Sequence, residues 1–326
     1  MVTSLLHTLR VQTDAELLLV VSPENRHALP LIQFGQKNVI SPIKHPWQAS
    51  EVLAAEEFDT LIDTHQWSRI AALLANRNRR VLTIGFDTPD QYRHFSHDIA
   101  VQHSPNQHEL TNYQALLQPL KLGEPPLPPQ LDVSEGETEN SSGLAERPFA
   151  VMHPWAAGFQ FALRQWPVQR WVELGHWLTN QGWRVLITGG PSDRQAAADL
   201  AAKCDRPDIQ SVAGECSLTE VAWLLSKTET LISVNTGIMH LGSILGAPTV
   251  SLNGPTNPDR WGPVGENSVN VNPPSGRGGY LNLGFEYPRN PQDVMSEIEP
   301  STVYEVIDKL RSGLTTPNPT FNLNNS

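Results

Sequence analysis

Cysteine is scarce in this chain, and long apolar runs are absent from it. The two cysteines among the 326 residues, Cys204 and Cys216, lack the spacing of a metal or redox site, which excludes a cysteine-bound structural zinc and favours a reducing cytoplasm. No apolar run reaches the ~20 residues of a transmembrane helix. The opening stretch, MVTSLLHTLRVQTD, has no basic region followed by an apolar one, so it is not a secretory signal. We therefore expect neither a transmembrane segment nor a metal site.

Basic residues are also in the minority. Lys and Arg number 23 against 34 Asp and Glu, a net charge of −11, and no basic stripe offsets this balance, so nucleic acid is not expected as a partner. Hydrophobic residues make up 39% of the chain, enough for packed cores, which excludes global disorder. The length suits two domains of ~150 residues each.

Short apolar runs alternate with amphipathic stretches in the first part of the chain. The runs at Leu17–Val21, Thr60–Ile62 and Val81–Ile84 predict strands buried on both faces. Helices are predicted at 68–75, with Ser68 as N-cap, and at 106–117. This alternation is typical of an α/β fold with a parallel sheet and helices on both faces.

The composition divides the chain into four parts. Residues 121–147 are rich in Pro, Glu, Ser and Gly and predict an interdomain linker between Rossmann-like domains at 1–120 and 148–312. Residues 313–326 predict a disordered tail.

The first element of the chain is unusual for this fold class. A helix at about Ser4 to Val11 comes first, whereas a doubly wound domain normally opens with a strand that lies centrally in its sheet. Either the first domain is built unusually, or the chain lacks its natural beginning.

The block SVNTGIMHLGSILGAPTVSLNGPTNP carries the sharpest functional signal. A buried strand ends in Asn235, Thr236 and Gly237, and a helix follows. Ligands of open α/β sheets bind at the carboxyl ends of strands, and the N–H groups at a helix start suit phosphate. His240 lies on the first turn of the same helix. The alternative interpretation is an ordinary N-cap with His240 as a packing residue.

Three further loops follow predicted strands in the same half of the chain. Gly190 and Asp193 belong to a GGPSD loop, where Asp193 could bind a ribose or merely cap a helix. Arg164 could pair with a diphosphate or be an ordinary surface arginine. Gly254 to Thr256 form a turn. Together the loops predict a pocket for a nucleotide diphosphate. The GxGxxG fingerprint is absent, so no nicotinamide or other cofactor is expected.

These loops resemble glycosyltransferase family 9, the heptosyltransferases of lipopolysaccharide assembly. The matching elements are Trp166-Pro167, the Gly189-Gly190-Pro191 loop, the SVNTGIMHLGSILGAPTVSLNGPTNP block and the segment 295–301. The resemblance extends from about residue 3 to residue 310. It implies the GT-B fold, in which two Rossmann-like domains face each other across a cleft, and inverting, metal-independent sugar transfer.

The resemblance also implies roles for individual donor-binding residues. Arg164 matches a basic residue at the donor phosphates, and Asp193 matches an acidic residue near the ribose. Asn235 stands where the best-known members have Asp, a change that keeps a hydrogen-bonding group and removes a charge. The remaining matches are Thr236, Gly237 and His240 at the pyrophosphate and sugar, and Cys216 to Leu218, which would contact the base mainly through backbone.

The catalytic base is not assigned by the resemblance. Members of the family usually begin with a strand and a Gly-Asp loop whose Asp acts as the base, and this chain starts at the helix that follows. We therefore expect that Asp upstream of Met1. Asp63 and His65 are stand-ins on the same side of the predicted sheet, and a strand-end cap and an ordinary loop histidine are their alternative roles.

The resemblance predicts a transferase that moves a heptose-like sugar from an ADP-heptose-like donor to a lipid-linked saccharide of the lipopolysaccharide or surface-polysaccharide type. Such an enzyme would be cytoplasmic, with a peripheral position at the inner face of the membrane as one option. The main alternative is a nucleotide-sugar-binding protein without transferase activity. A second is another GT-B enzyme, such as a sugar-nucleotide epimerase.

Overall fold

The structure is a computed structural model that describes residues 1–32, 37–40, 51, 53–76, 81–284 and 286–314. The chain divides into two compact units, and the boundary falls between Leu131 and Asp132, inside the Pro-rich segment. Residues 315–326 of the expected tail lie outside the described residues.

Unit 1, which begins at Met1, contains parallel strands and short helices. Its strands form two sheets, one that pairs β1 with β2 and one with the order β3-β4-β5. The elements are α1 (Val2–Gln12), β1 (Leu18–Val21), β2 (Lys37–Ile40), β3 (Thr60–Asp63), α2 (Arg69–Ala75), β4 (Leu82–Asp87), β5 (Ile99–Gln102) and α3 (Glu109–Ala115).

The strands of unit 1 are divided between two sheets. Within the described residues, no strand joins β1-β2 to β3-β4-β5. The strand expected upstream of Met1 stays a prediction.

Helix α1 contributes much of the core of unit 1. Leu5, Leu6 and Leu9 are buried at helical spacing and cluster with Ile84 and Phe86 of β4. The expectation that strand 17–21 is buried on both faces is wrong, because Val20 is 38% exposed. Successive side chains of a strand point to opposite faces, and the core covers one face of β1.

The helices expected at 68–75 and 106–117 are present in unit 1. Ser68 caps α2 as expected, since its hydroxyl accepts a hydrogen bond from the Ala71 N–H at 3.1 Å. Helix α3 begins at Glu109, three residues later than expected, and its N-cap is His108, whose ring accepts a bond from the Leu110 N–H. The residues before it are in a turn held by the Asn112 side chain, which bonds to Ser104.

Unit 2 contains one six-stranded parallel sheet with the order β11-β10-β9-β6-β7-β8. Within the described ranges, no helix of the chain is long and apolar enough to cross a bilayer. The elements are α4 (Glu139–Leu144), β6 (Phe149–His153), α5 (Val168–Asn180), β7 (Arg184–Ile187), α6 (Arg194–Cys204), β8 (Ile209–Ser211), α7 (Leu218–Leu225), β9 (Thr230–Val234), α8 (Gly237–Ile244), β10 (Thr249–Leu252), α9 (Pro258–Trp261), β11 (Ser268–Val271) and α10 (Pro300–Arg311).

The second half of the expected linker packs on unit 2. A Cβ at Gly136 would collide with the Thr219 carbonyl oxygen and lie 2.7 Å from the Trp223 Cβ, so glycine permits this close approach to α7. Thr138 caps α4 and donates a hydrogen bond to Glu220 at 2.7 Å. The small and polar residues of this segment therefore serve capping and close packing.

Candidate functional site

The order of the strands in unit 2 locates a crevice at the carboxyl edge of its sheet. Strand β6 comes first in the chain and lies centrally, with β7 and β8 on one side and β9, β10 and β11 on the other. The topological switch point therefore lies between β6 and β9, where His153 is in register with Ser233. Ligands of open α/β sheets bind at this point. The loops that begin at Pro154 and at Asn235 flank it.

The N-terminus of α8 is suited to an anion. Thr236 is the N-cap, but its side chain makes no capping hydrogen bond, so the first backbone N–H groups of the helix keep their capacity to donate. Gly237 is exposed, and a Cβ built on it meets no atom within 4 Å. The backbone here is therefore open to a ligand, and the helix dipole favours negative charge.

The side chain of Asn235 ties this helix start to the next strand. Its amide nitrogen donates to Asn253 Oδ1 and to the Trp261 carbonyl, both at 2.8 Å. Asn253 is itself held, because its amide donates to Asn270 Oδ1 at 2.6 Å and to Ser251. This chain of neutral amides fixes the relative positions of the loops after β9 and β10.

Arg164 lies on the loop that follows β6. Its guanidinium donates to the Ala157 carbonyl of the same loop, and its Nε is buried without a hydrogen-bond partner in the described part of the chain. Gly158 and Gln160 have φ angles of +90° and +48°, so the loop makes a tight turn around the arginine. The guanidinium adds a positive charge to this loop, which could pair with a diphosphate.

In the loop after β7, Asp193 has the helix-capping geometry that the sequence left open as the alternative to a ribose contact. One carboxylate oxygen of Asp193 accepts a hydrogen bond from the Gly190 N–H at 2.8 Å, which is a capping contact. Gly189 lies against Trp155, since a Cβ there would be 2.8 Å from the indole nitrogen. That indole N–H donates to the Thr188 carbonyl. Trp155, which we did not predict, thus connects the loops after β6 and β7.

The loop after β8 adjoins the same edge. The Gly214 N–H donates to the Gly189 carbonyl at 2.9 Å, which joins this loop to the preceding one. Burial, with nearby Glu220 adding to it, raises the pKa of the Cys216 thiol to about 11. The thiol is therefore protonated at neutral pH, and a role for Cys216 through backbone fits better than a role as nucleophile.

All the candidate donor residues follow strands of this one sheet. His240 lies in the first turn of α8, with its backbone N–H 3.3 Å from the Thr236 carbonyl. Sequence analysis missed the aromatic pair of Phe159 and Tyr287, whose rings are 5.6 Å apart and whose members are joined by a bond from the Tyr287 hydroxyl to the Phe159 carbonyl. Phe159 is 66% exposed on the same loop as Arg164, and no sequence pattern identified this exposed ring.

Unit 1 carries a different polar cluster at the carboxyl ends of its strands. Asp63 is buried and accepts hydrogen bonds from the backbone N–H of His65 at 3.0 Å and from the His65 ring at 3.1 Å. Its other oxygen pairs with the buried Arg93 guanidinium. Burial alone would raise the pKa of Asp63, but the His65 hydrogen bond and the Arg93 charge outweigh it, so the pKa lies below its usual value.

A second buried pair, which we did not predict, lies in the same unit. His103 Nε2 is 3.0 Å from the Glu109 carboxylate, and both side chains are fully buried. Gln66, from the loop after β3, donates to the same carboxylate. No sequence motif marks this pair, although His103 and Glu109 are only six residues apart, just after β5 and at the start of α3.

Glycosyltransferase family 9 (heptosyltransferase) is the family whose sequence profile matches this chain, over residues 47–277. The chain belongs to glycosyltransferase family 9. The matched range includes Asp63 and His65 in unit 1 and every candidate donor residue of unit 2.

Several known proteins are similar in sequence to this chain. Lipopolysaccharide heptosyltransferase 2 of Salmonella typhimurium is 31% identical over 151 residues, which are 44% of this chain and 42% of that protein. The protein of the same name from Escherichia coli K12 is 32% identical over the same shares of both chains. Lipopolysaccharide heptosyltransferase 1 of E. coli K12 is 27% identical over 247 residues, 70% of this chain and 71% of the relative. The chain thus matches less than half the length of the first two relatives.

Solved structures of the family show the fold. The ADP-heptose lps heptosyltransferase II of E. coli superposes with a TM-score of 0.74 at 20% identity, and the match covers 96% of this chain and 94% of that one. A family 9 glycosyltransferase from Veillonella parvula has the same TM-score at 16% identity, with 96% and 93% covered. The chain therefore has the GT-B fold, as expected.

The structure explains why residue 235 of this family 9 chain is an asparagine and not an aspartate. A carboxylate at this position has no hydrogen to donate, and it would face the Asn253 oxygen and the Trp261 carbonyl oxygen. Asn253 cannot reverse its amide without losing its own bonds to Ser251 and Asn270. The surroundings of residue 235 are thus built for an amide.

Proposed function

We propose that the chain is an inverting, metal-independent glycosyltransferase. It moves a heptose-like sugar from a nucleotide-diphosphate donor, ADP-heptose or a close analogue, to a lipopolysaccharide or surface-polysaccharide acceptor. The observation that carries the proposal is the open N-terminus of α8 at the switch point, where Gly237 leaves the backbone accessible. The names of the relatives support heptose as the sugar.

Each loop of the carboxyl edge has a role in this proposal. The N–H groups at Thr236 and Gly237 bind the diphosphate, and Arg164 adds a positive charge as the bond to the leaving diphosphate breaks. Asp193 and Gly190 lie by the ribose, and the backbone at Cys216 lies by the base. His240 and Asn235 contact the sugar or its phosphate.

The acceptor in this proposal is a lipid-linked saccharide, and the protein works in the cytoplasm at the inner face of the membrane. A nucleotide-sugar-binding protein without transferase activity is the second candidate. It is favoured by the ion pair between Asp63 and Arg93, because a carboxylate engaged in this way is a weak base.

Calorimetric titration with ADP-heptose, UDP-glucose and GDP-mannose tests the donor site. We expect ADP-heptose to bind most tightly, and Gly237→Val to weaken that binding at least tenfold, because the new side chain occupies the open space above the backbone. Gly143→Val is the matched control: Gly143 is also an exposed helical glycine whose added Cβ meets no atom within 4 Å. Equal donor affinity in both variants would contradict the proposed site.

A further inference from the structure

A segment that follows β11 connects two loops at the carboxyl edge of the unit 2 sheet. We call residues 278–284 and 286–287 the strap. Near its start, the Leu281 N–H donates a hydrogen bond to the Pro255 carbonyl at 2.8 Å, in the loop after β10. At its end, the Tyr287 hydroxyl donates to the Phe159 carbonyl at 3.2 Å, in the loop after β6. The strap therefore extends from the loop after β10 to the loop after β6.

The position of β9 places the strap beside the proposed diphosphate site. Strand β9 lies between β10 and β6 in the sheet, so a segment bonded to the loops of both neighbours runs beside the loop that carries Asn235. Two hydrogen bonds, each of 2.8 Å, join that loop to the strap: Asn235 donates to the Trp261 carbonyl, and the Trp261 indole N–H donates to the Asn282 carbonyl. The strap is thus anchored to the residue that precedes the N-cap of α8.

Aromatic rings lie where the strap meets the loop after β6. The ring centroids of Phe159 and Tyr287 are 5.6 Å apart, and those of Tyr287 and Tyr280 are 6.3 Å apart, both in edge-to-face geometry. Phe159 nevertheless stays 66% exposed. The Arg164 guanidinium donates to the carbonyl of Ala157, two residues before Phe159, so the ring and the cation belong to the same turn. An exposed and positioned apolar ring thus accompanies the cation proposed for the diphosphate.

The order of the strands indicates which part of the donor meets this ring. The loops after β7 and β8, proposed for the ribose and the base, lie on one side of β6, whereas the strap reaches the loop after β6 from the side of β9 and β10. In a nucleotide-diphosphate sugar, the diphosphate stands between the nucleoside and the sugar. A diphosphate at β6 and β9 with its nucleoside toward β7 and β8 therefore directs its sugar toward the strap.

We propose that Phe159 is a specificity-determining residue that contacts the donor sugar, and that Tyr287 positions it. The inference rests on the proposed function. The exposed ring of Phe159 packs against the apolar C–H groups of the sugar ring, while the sugar hydroxyls keep their polar partners. Tyr287 holds Phe159 from two sides, through its ring and through its hydroxyl. The pair adds affinity for the sugar and none for the nucleotide.

Calorimetric titrations with ADP-heptose and with ADP separate the sugar contact from the nucleotide contacts. The decisive variant is Phe159→Ala, because the side chain is mostly exposed and its truncation leaves the core of unit 2 intact. The matched control is Phe161→Ala, since Phe161 is a second phenylalanine of the same loop and is 48% exposed. Tyr287→Phe keeps the aromatic ring and removes only the hydroxyl that bonds to the Phe159 carbonyl.

We expect Phe159→Ala to raise the Kd for ADP-heptose about five- to tenfold, with a Kd for ADP within about twofold of wild type. Tyr287→Phe should give a smaller rise for ADP-heptose and also spare ADP, a selectivity that a general loss of structure would not produce. Phe161→Ala should leave both constants unchanged.

Three results would overturn the inference. They are an ADP-heptose Kd for Phe159→Ala within about twofold of wild type, an equal rise for ADP and ADP-heptose, and an equal effect of Phe161→Ala. A wild-type chain that does not bind ADP-heptose would instead refute the proposed function itself.

Discussion

The two units place polar groups at the carboxyl ends of their strands but satisfy them differently. In unit 1 the groups are ionisable and internally paired, as in Asp63 with Arg93 and His103 with Glu109. In unit 2 the corresponding positions carry neutral amides and an open helix start, as in Asn235 and Gly237.

This difference distinguishes polar groups that stabilise the fold from polar groups that can bind a ligand. A buried charge that has its partner within the fold is no longer available to a substrate, and its removal leaves the partner uncompensated. A helix start whose N–H groups have no partner keeps its binding capacity for an anion. Unit 2 therefore has backbone N–H groups that can donate hydrogen bonds to a ligand. In unit 1 the exposed member of the polar cluster is a histidine.

The largest expected effect concerns the buried ion pair of unit 1. Arg93→Ala leaves Asp63 buried without its cation, and we expect it to destabilise unit 1 by ~3–5 kcal/mol. The control is Arg147→Ala in unit 2, which breaks a pair with Asp208 whose side chains are 63% and 47% exposed, so that the loss should stay below ~1 kcal/mol. Native-state hydrogen exchange, which resolves the two units, measures both. Similar losses would remove the contrast between the units.

The next effect is a pH dependence in unit 2. Burial lowers the pKa of His153 to about 4, and a hydrogen bond that the ring donates to Thr188 only partly opposes it. The unfolded chain therefore takes up this proton near pH 6.5 and the folded chain near 4, so stability present above ~6.5 falls by ~3 kcal/mol as the pH drops through this window. His153→Asn, which retains a polar atom near Thr188, should lack this decrease. Hydrogen exchange of unit 2 amides at pH 7, 5.5 and 4.5 tests it, and an identical pH response in the variant would contradict the cause.

We expect a charge within the neutral amide network of unit 2 to lower the stability of that unit. Asn235→Asp places a carboxylate against the oxygens of Asn253 and Trp261, and we expect it to cost ~1–3 kcal/mol in unit 2. Asn235→Ala loses the same two bonds without adding a charge and should cost less. Denaturation of both variants, followed by unit 2 amides, gives the order. A more stable Asp variant would show that the network accommodates a carboxylate.

The smallest effect compares two helix caps. Ser68→Ala removes a capping bond in unit 1 and should cost ~1 kcal/mol. Thr236 makes no such bond in unit 2, so Thr236→Ala should change stability by less than ~0.5 kcal/mol. Calorimetry with ADP-heptose should show unchanged donor binding in both variants, because Thr236 is proposed to bind the diphosphate through its backbone N–H, which alanine retains. An equal stability loss in the two variants would mean that Thr236 caps its helix after all.

Residues that are close in the chain mark several elements of unit 2. The runs FAVMH and TLISV are apolar over the length of one strand, and each is buried throughout. The start of α8 directly after Thr236 also followed from neighbouring residues. Strands β2, β5 and β11 were missed, because each contains at most three consecutive apolar residues.

The sequence by itself determined the family, the fold class and the loops of the proposed donor site, because helix starts, strand runs and glycine turns depend on residues that are close in the chain. Only the tertiary structure decided which of these residues meet. Arg93 pairs with Asp63, which is 30 residues away in the sequence, and Asn235 hydrogen-bonds to Asn253, which is 18 residues away. Such partners are selected by the order and register of the strands, which result from the packing of the whole sheet and leave no local mark in the sequence.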